Sequence, residues 1–238
     1  MTPPDLIIRL RGVCKDYGEG DVVVHALRGV DLEVARGEFM AMAGPSGSGK
    51  STLLNLVGGL DRPTSGTVEV CGHDITELSA SKLSALRRDN IGFVFQNYNL
   101  VPVLTATENA EYVLMLQGLA ARERRERVAT ILEEVGLGGM GNRLPRELSG
   151  GQQQRVAIAR AIVSEPALVL ADEPTANVDS KVGGELLDLM HELHEEKGVT
   201  FLFSTHDRQV MTRADRLVLL HDGRIADDGP SARLLDGA

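Results

Sequence analysis

The nine residues Gly44-Pro45-Ser46-Gly47-Ser48-Gly49-Lys50-Ser51-Thr52 leave a chain like this few ways to fold. They carry the spacing G-x-x-x-x-G-K-[ST] and lie between a strand-like run, Gly37 to Ala43, and a helical one, Thr52 to Val57. Strand, glycine-rich loop and helix in that order make a phosphate site. Gly44, Gly47 and Gly49 let successive backbone N–H groups turn inward around an anion that also sits at the positive end of the following helix. Lys50 adds a compact cationic donor for the outer phosphates, and Ser51 offers a hydroxyl to an accompanying Mg²⁺.

A phosphate loop of this kind needs a parallel sheet behind it, and 238 residues suffice for one lobed α/β domain without a disulfide or metal staple. The formal net charge of −9 argues against a general nucleic-acid binder. Any anion site must be local. Cys14 and Cys71 lack metal-ligand spacing and read as buried small hydrophobes in a reducing cytoplasm. The start, Met1 to Asp5, lacks a basic stretch followed by an apolar one, and no run reaches the roughly eighteen apolar residues of a membrane span. The expectation is a chain neither secreted nor membrane-spanning.

Ahead of the loop, three short β-rich runs, Leu6 to Leu10, Val22 to Leu27 and Val30 to Val34, are broken by Gly18, Gly20 and Gly29 and predict an antiparallel β region. Tyr17 falls in the expected first connection, as a surface residue or as a face on which adenine stacks. Beyond the loop helix, segment 75–89 is helix-favouring, and Ile91 to Phe95 is a short apolar strand ending at Gln96. At the carboxyl end of a core strand that glutamine can reach a metal or water, and a solvent-facing glutamine fits the local pattern equally well. Residues 97–147 turn helical, with Val128, Ile131, Leu132 and Val135 on one face. Glu123, four residues before Arg127, predicts an ion-paired solvated face.

Leu148-Ser149-Gly150-Gly151-Gln152 then opens a helix with Ser149 as its N-cap, either a second anion site that has no lysine or only a capped helix start. Ala167 to Ala171 is apolar enough for a strand buried on both faces and ends in Asp172-Glu173. Adjacent carboxylates repel and call for a cation, so Asp172 fits the Mg²⁺ side and Glu173 the polarisation of an attacking water. Ala176 to Asp179 leads into an expected helix 183–196. A strand from Val199 then ends near His206, and an Asp222-Gly223 turn joins a last hairpin.

In this order the motifs resemble the nucleotide-binding subunit of ABC transporters, over about Leu6 to Gly229. The resemblance implies a P-loop NTPase fold with a RecA-like core, an antiparallel β subdomain and an inserted α-helical subdomain. Core and β subdomain would cover about 5–96 and 155–229, and the helical subdomain about 97–154. It implies ATP and Mg²⁺ as ligands, adenine stacking on Tyr17, Gly44 to Thr52 around the phosphates, and Ser51, Gln96 and Asp172 toward the metal. Catalytic roles fall to Glu173, His206, Lys50 and Gln96. It further implies a head-to-tail homodimer, in which Ser149, Gly150, Gly151, Gln152 and Asp179 complete the site of the other copy. Asn99 to Asn109 and Leu170 to Asp179 resemble the lipoprotein-release and macrolide-export group, with Val178 as a departure from that group's Asn-Leu-Asp pattern. Such cassettes serve separate FtsX-like transmembrane permease subunits from the cytoplasmic face of the cell membrane, and here the docking segment would be Gln96 to Asn109, with Tyr98 as a contact and Leu100 as a contact or equally as core of the helical lobe. An importer cassette and a mechanical or signalling ATPase of the cell-division type share the same engine. A DNA-repair ATPase is disfavoured, because the sequence has no coiled-coil insertion, paired CxxC or basic surface.

Overall fold

The computed structural model describes residues 5–18 and 23–236. Met1 to Pro4, Gly20 and Val22, used in the reading above, lie outside them. The chain opens with two long strands, β1 (Leu6–Tyr17) and β2 (Val24–Ala35), followed by β3 (Phe39–Ala43) and helix α1 (Lys50–Val57). The three expected runs are therefore two strands. Gly12 (φ 56°) and Gly29 (φ 70°) lie within them, and register shifts between Leu10 and Val13 and around Lys15 absorb the irregularity as bulges. Tyr17 is accordingly the last residue of β1, paired with Val24, rather than part of a connection.

Strands β4 (Ser65–Val70) and β5 (His73–Asp74) complete an antiparallel sheet in the order β2-β1-β4-β5. After α2 (Ala80–Asn90) and β6 (Ile91–Phe95) come α3 (Ala106–Leu116), α4 (Ala121–Glu134) and α5 (Gly150–Ile162). The expected ion pair on α4 forms, Arg127 Nη2 to Glu123 Oε1 at 2.9 Å. The chain ends with β7 (Leu168–Asp172), α6 (Ser180–Lys197), β8 (Thr200–Thr205), α7 (Arg208–Arg213), β9 (Arg216–His221), β10 (Arg224–Pro230) and α8 (Ser231–Asp236). Helix α6 begins three residues earlier than expected. Asp179 caps it, and Gly183 and Gly184, poor helix formers in isolation, are buried inside it, where Gly183 faces Thr175. In the final hairpin both turn residues, Asp222 (φ 48°) and Gly223 (φ 74°), are left-handed, as a two-residue turn between twisted strands requires.

The main sheet has the order β10-β9-β3-β8-β7-β6, parallel except for β10. All five residues of β3 and all six of β8 are buried, as in a sheet covered on both faces. Alternation assigns the faces. Phe39, Ala41, Val169, Ala171, Phe201 and Phe203 pack with α5, α6 and the helices of residues 106–134. Met40, Met42, Leu168, Leu170, Leu202 and Val218 pack with α1 and the antiparallel sheet. The two covering layers put the carboxyl ends of β3, β6, β7 and β8 on one edge, beside the loop that precedes α1. Both cysteines are free and only half-buried, against the expectation of buried ones. Cys14 Sγ lies at the bulge, where it accepts the Gly29 N–H at 3.1 Å, and burial pushes the Cys71 thiol up.

Candidate functional site

Glycine placement builds the phosphate loop. Gly44 (φ 156°) and Gly49 (φ 105°) adopt left-handed backbone, and a Cβ would lie 2.2 Å from Leu220 O at the first and 2.7 Å from Ala26 O at the second. The loop therefore sits tight against β9 and β2, with α1 starting at Lys50. Lys50 is buried and donates from Nζ to the carbonyls of Gly44 (2.8 Å) and Pro45 (3.0 Å), which holds its charge at the centre of the loop. Ser48 Oγ is buried without a partner in the same turn.

A cleft of about 680 Å³ runs from this loop along the sheet edge. Tyr17, Ser46 to Thr52, Gln96, Glu173 and His206 line it, so the sequence-predicted residues of the loop, the β6 end, the β7 end and the β8 end converge. Ser51 donates from Oγ to Asp172 Oδ1 at 3.3 Å across the gap between α1 and β7. A hydroxyl and a carboxylate side by side, with the Gln96 amide on the same cleft, are hard oxygen donors that suit Mg²⁺ sharing its coordination with phosphates and water. Among the described residues no cluster of three or more His, Cys, Asp or Glu forms an all-protein cage.

Glu173 follows β7 with φ 46°, a left-handed backbone that non-glycine residues avoid. Its N–H donates to Ser204 O at 2.9 Å, which turns the carboxylate toward the end of β8. There Oε1 meets His206 Nδ1 at 2.7 Å and Oε2 accepts from Thr205 Oγ1 at 3.3 Å. The imidazole itself is largely open to solvent, with 73% side-chain exposure against 16% for Glu173. The histidine is thus an exposed partner on a largely buried carboxylate.

At the far end of the cleft Tyr17 donates from its hydroxyl to Asp61 Oδ2 at 2.9 Å, and Lys15 Nζ stands 4.8 Å from the ring centroid. Partial burial and that hydrogen bond push the tyrosine hydroxyl up. Burial pulls the Asp61 carboxyl up too, but hydrogen bonds from Lys15, the Arg62 N–H and Tyr17 outweigh it and hold the carboxyl below its usual range. Val24, His25 and Ala26 of β2 also line the cleft and were missed in the sequence. A Val-His-Ala run is an ordinary strand and carries no signal for it.

Ser149, Gly150, Gly151, Gln152 and Asp179 do not line this cleft. Ser149 caps α5 in a capping box, accepting from Gln152 N–H at 3.3 Å while Gln152 Oε1 accepts the Ser149 N–H at 2.9 Å. Gly151 is pressed against α6, where a Cβ would lie 2.6 Å from Val182 Cγ1. Asp179 lines a second cavity of about 410 Å³ that it shares with Glu173 and His206. Within one chain Ser149 to Gln152 and the phosphate loop line no common cleft.

The profile of the ABC transporter family matches residues 27–176. The lipoprotein-releasing system ATP-binding protein LolD of Anaeromyxobacter dehalogenans is 51% identical over 227 residues, which are 95% of this chain and 95% of that protein. The macrolide export ATP-binding/permease protein MacB of Hyphomonas neptunium is 49% identical over 228 residues, 96% of this chain but 35% of that protein. The chain therefore spans about a third of the macrolide-export relative and nearly all of the lipoprotein-releasing one. A dimeric structure of the ATP-binding cassette MJ0796, in a post-hydrolysis state bound to ADP and Pi, superposes with a TM-score of 0.87 at 42% identity. It covers 94% of this chain and 98% of that one.

Proposed function

From the premise that the chain belongs to the ABC transporter family as an ATP-binding, ATP-hydrolysing cassette, we propose that two copies close head-to-tail on ATP and drive a separate transmembrane partner. The observation that carries this reading is the convergence of Lys50, Ser51, Gln96, Glu173 and His206 on one cleft that Ser149 to Gln152 do not line. An anion site without a lysine is unexplained in one chain and is explained as the second wall of another chain's site.

Adenine stacks on Tyr17 at the end of β1, and the loop N–H groups with Lys50 hold the phosphates. Ser51, Gln96 and Asp172 would hold Mg²⁺, which supplies charge neutralisation on the phosphate oxygens. Glu173 orients the attacking water and accepts its proton. In the conformation described, its carboxylate is engaged by His206 at 2.7 Å. Release of the exposed imidazole toward the γ-phosphate frees the acid and adds a donor where negative charge develops. Asp179 and Ser149 of the second copy close the site, and hydrolysis reopens it.

Among the described residues no helix is long and apolar enough to cross a membrane. Likeness to lipoprotein-releasing and macrolide-export proteins supports an export or release system with an FtsX-like partner. Docking near Gln96 to Asn109 is supported by an apolar groove of about 380 Å³ beside it, lined by Leu60, Phe93, Phe95, Val113 and Leu116 and rimmed by Arg87 and Arg88. Phosphate release by the purified protein tests the engine. Extraction from membranes in mild detergent, followed by mass spectrometry of what accompanies the chain, tests the load. Recovery without any membrane protein would sink the transport reading.

A further inference from the structure

The Gln96 segment, the turn at 176–179 and helix α5 meet through side chains the mechanism leaves unused. Asn177 Nδ2 donates to the Gln96 carbonyl at 2.9 Å and to Asn97 Oδ1 at 2.9 Å. The Tyr98 hydroxyl donates back to the Asn177 carbonyl at 3.1 Å. That hydroxyl also lies over the first residue of α5, where a Cβ on Gly150 would come within 2.9 Å of it. From the other end of α5, Arg160 donates to the carbonyls of Tyr98 (2.8 Å) and Asn99 (2.6 Å). Tyr98 (φ 58°) and Asn99 (φ 49°) are both left-handed, a costly backbone for side-chain-bearing residues that these bonds hold in place.

We infer that Asn177 and Tyr98 are positioning residues that bind the Gln96 segment, the turn at 176–179 and the start of α5 into one body. Helix α5 is bonded to this segment through Arg160 near its carboxyl end, and at its start Gly150 packs under the Tyr98 hydroxyl and the Asn177 carbonyl. Rotation of α5 against the Gln96 segment therefore breaks the Arg160 bonds or drives Gly150 against Tyr98 and Asn177, which their own bonds to each other and to Gln96 and Asn97 hold in place. A displacement felt at Gln96, where nucleotide and membrane partner both bear, is thereby carried to Ser149 and Gly150 of the same chain. Its functional consequence, though not the linkage itself, rests on the reading of Ser149 to Gln152 as the half-site offered to a second copy.

The test is amide hydrogen exchange on the full chain without nucleotide, followed by steady-state ATP hydrolysis. Asn177→Asp keeps the size, removes the donor and sets a carboxylate against two acceptor oxygens. It is expected to raise exchange by about tenfold together in peptides covering 97–101, 149–153 and 176–180, and to leave the phosphate loop at 44–57 unchanged. In hydrolysis it lowers kcat several-fold, with KM for ATP within about twofold. Tyr98→Phe, which removes only the hydroxyl, gives the same pattern at smaller amplitude and keeps the test alive if the aspartate variant folds poorly. Faster exchange confined to 176–180, with 149–153 at wild-type protection, overturns the inference. So does a raised KM with kcat unaltered. Exchange is read on the nucleotide-free chain, so this result stands whether or not two copies associate. Failure of Glu173→Gln to dimerise on ATP would count against the two-copy reading alone.

Discussion

Glu173 carries the sharpest demand in the molecule, because its backbone is held at φ 46° and its carboxylate is shared between Thr205 and the exposed His206. Glu173→Gln keeps the shape and removes the carboxylate proposed as the base. Turnover should fall by about 10²- to 10⁴-fold while ATP binding, measured by equilibrium titration, stays near wild type. Undiminished phosphate release in that variant would remove the base assignment. Gly49→Ala tests the loop itself. With φ at 105° and Ala26 O only 2.7 Å from the new Cβ, the variant should lose about 1–3 kcal/mol in urea unfolding. A wild-type midpoint would mean that the loop can retreat from β2. The phosphate loop was legible in the sequence because its requirement falls on the backbone and is met by glycine at Gly44, Gly47 and Gly49. The pairs around it were not. Tyr17 reaches Asp61 across 44 residues and His206 reaches Glu173 across 33, and no local pattern encodes a contact at such separations.

Elements start where a side chain satisfies their first N–H groups, which gives Asp179 a structural task beside its proposed role across the dimer. Its Oδ1 accepts from the N–H groups of Lys181 and Val182, both at 3.1 Å. Asp179→Asn retains a cap of equal quality and should unfold within a few tenths of a kcal/mol of wild type, whereas Asp179→Ala should lose about 1 kcal/mol, both read in denaturant. If the asparagine variant is stable and yet slow in hydrolysis, the charge acts elsewhere than in the cap. Strong apolar runs made β3, β7 and β8 legible, because strands buried on both faces have no polar alternation to confuse. The extent of β1 and β2 was not, since glycine reads as a break, and the expected start of α6 falls at Gly183, although Asp179 caps the helix and it begins at Ser180. Gly183 and Gly184 instead lie inside a helix on Thr175 and near Arg213 and Gln209, and Gly12 and Gly29 lie within bulged strands.

At the scale of the whole molecule the six-stranded sheet separates two apolar layers and gathers the ends of four strands beside the phosphate loop. Motif order made that architecture legible in advance, while the groove beside β6 and the ties among Gln96, Asn177 and α5 depend on packing that sequence spacing does not express. The central claim is that each site is built from two chains, with Lys50 supplied by one and Ser149 by the other. Mixing two inactive variants tests it directly. In a mixed dimer of Lys50→Ala with Ser149→Arg, one site carries both lesions and the other carries neither. Phosphate release from the mixture should therefore rise well above that of either variant alone. If every mixing ratio stays as inactive as the parents while mixed dimers demonstrably form, the site belongs to one chain and the account is wrong.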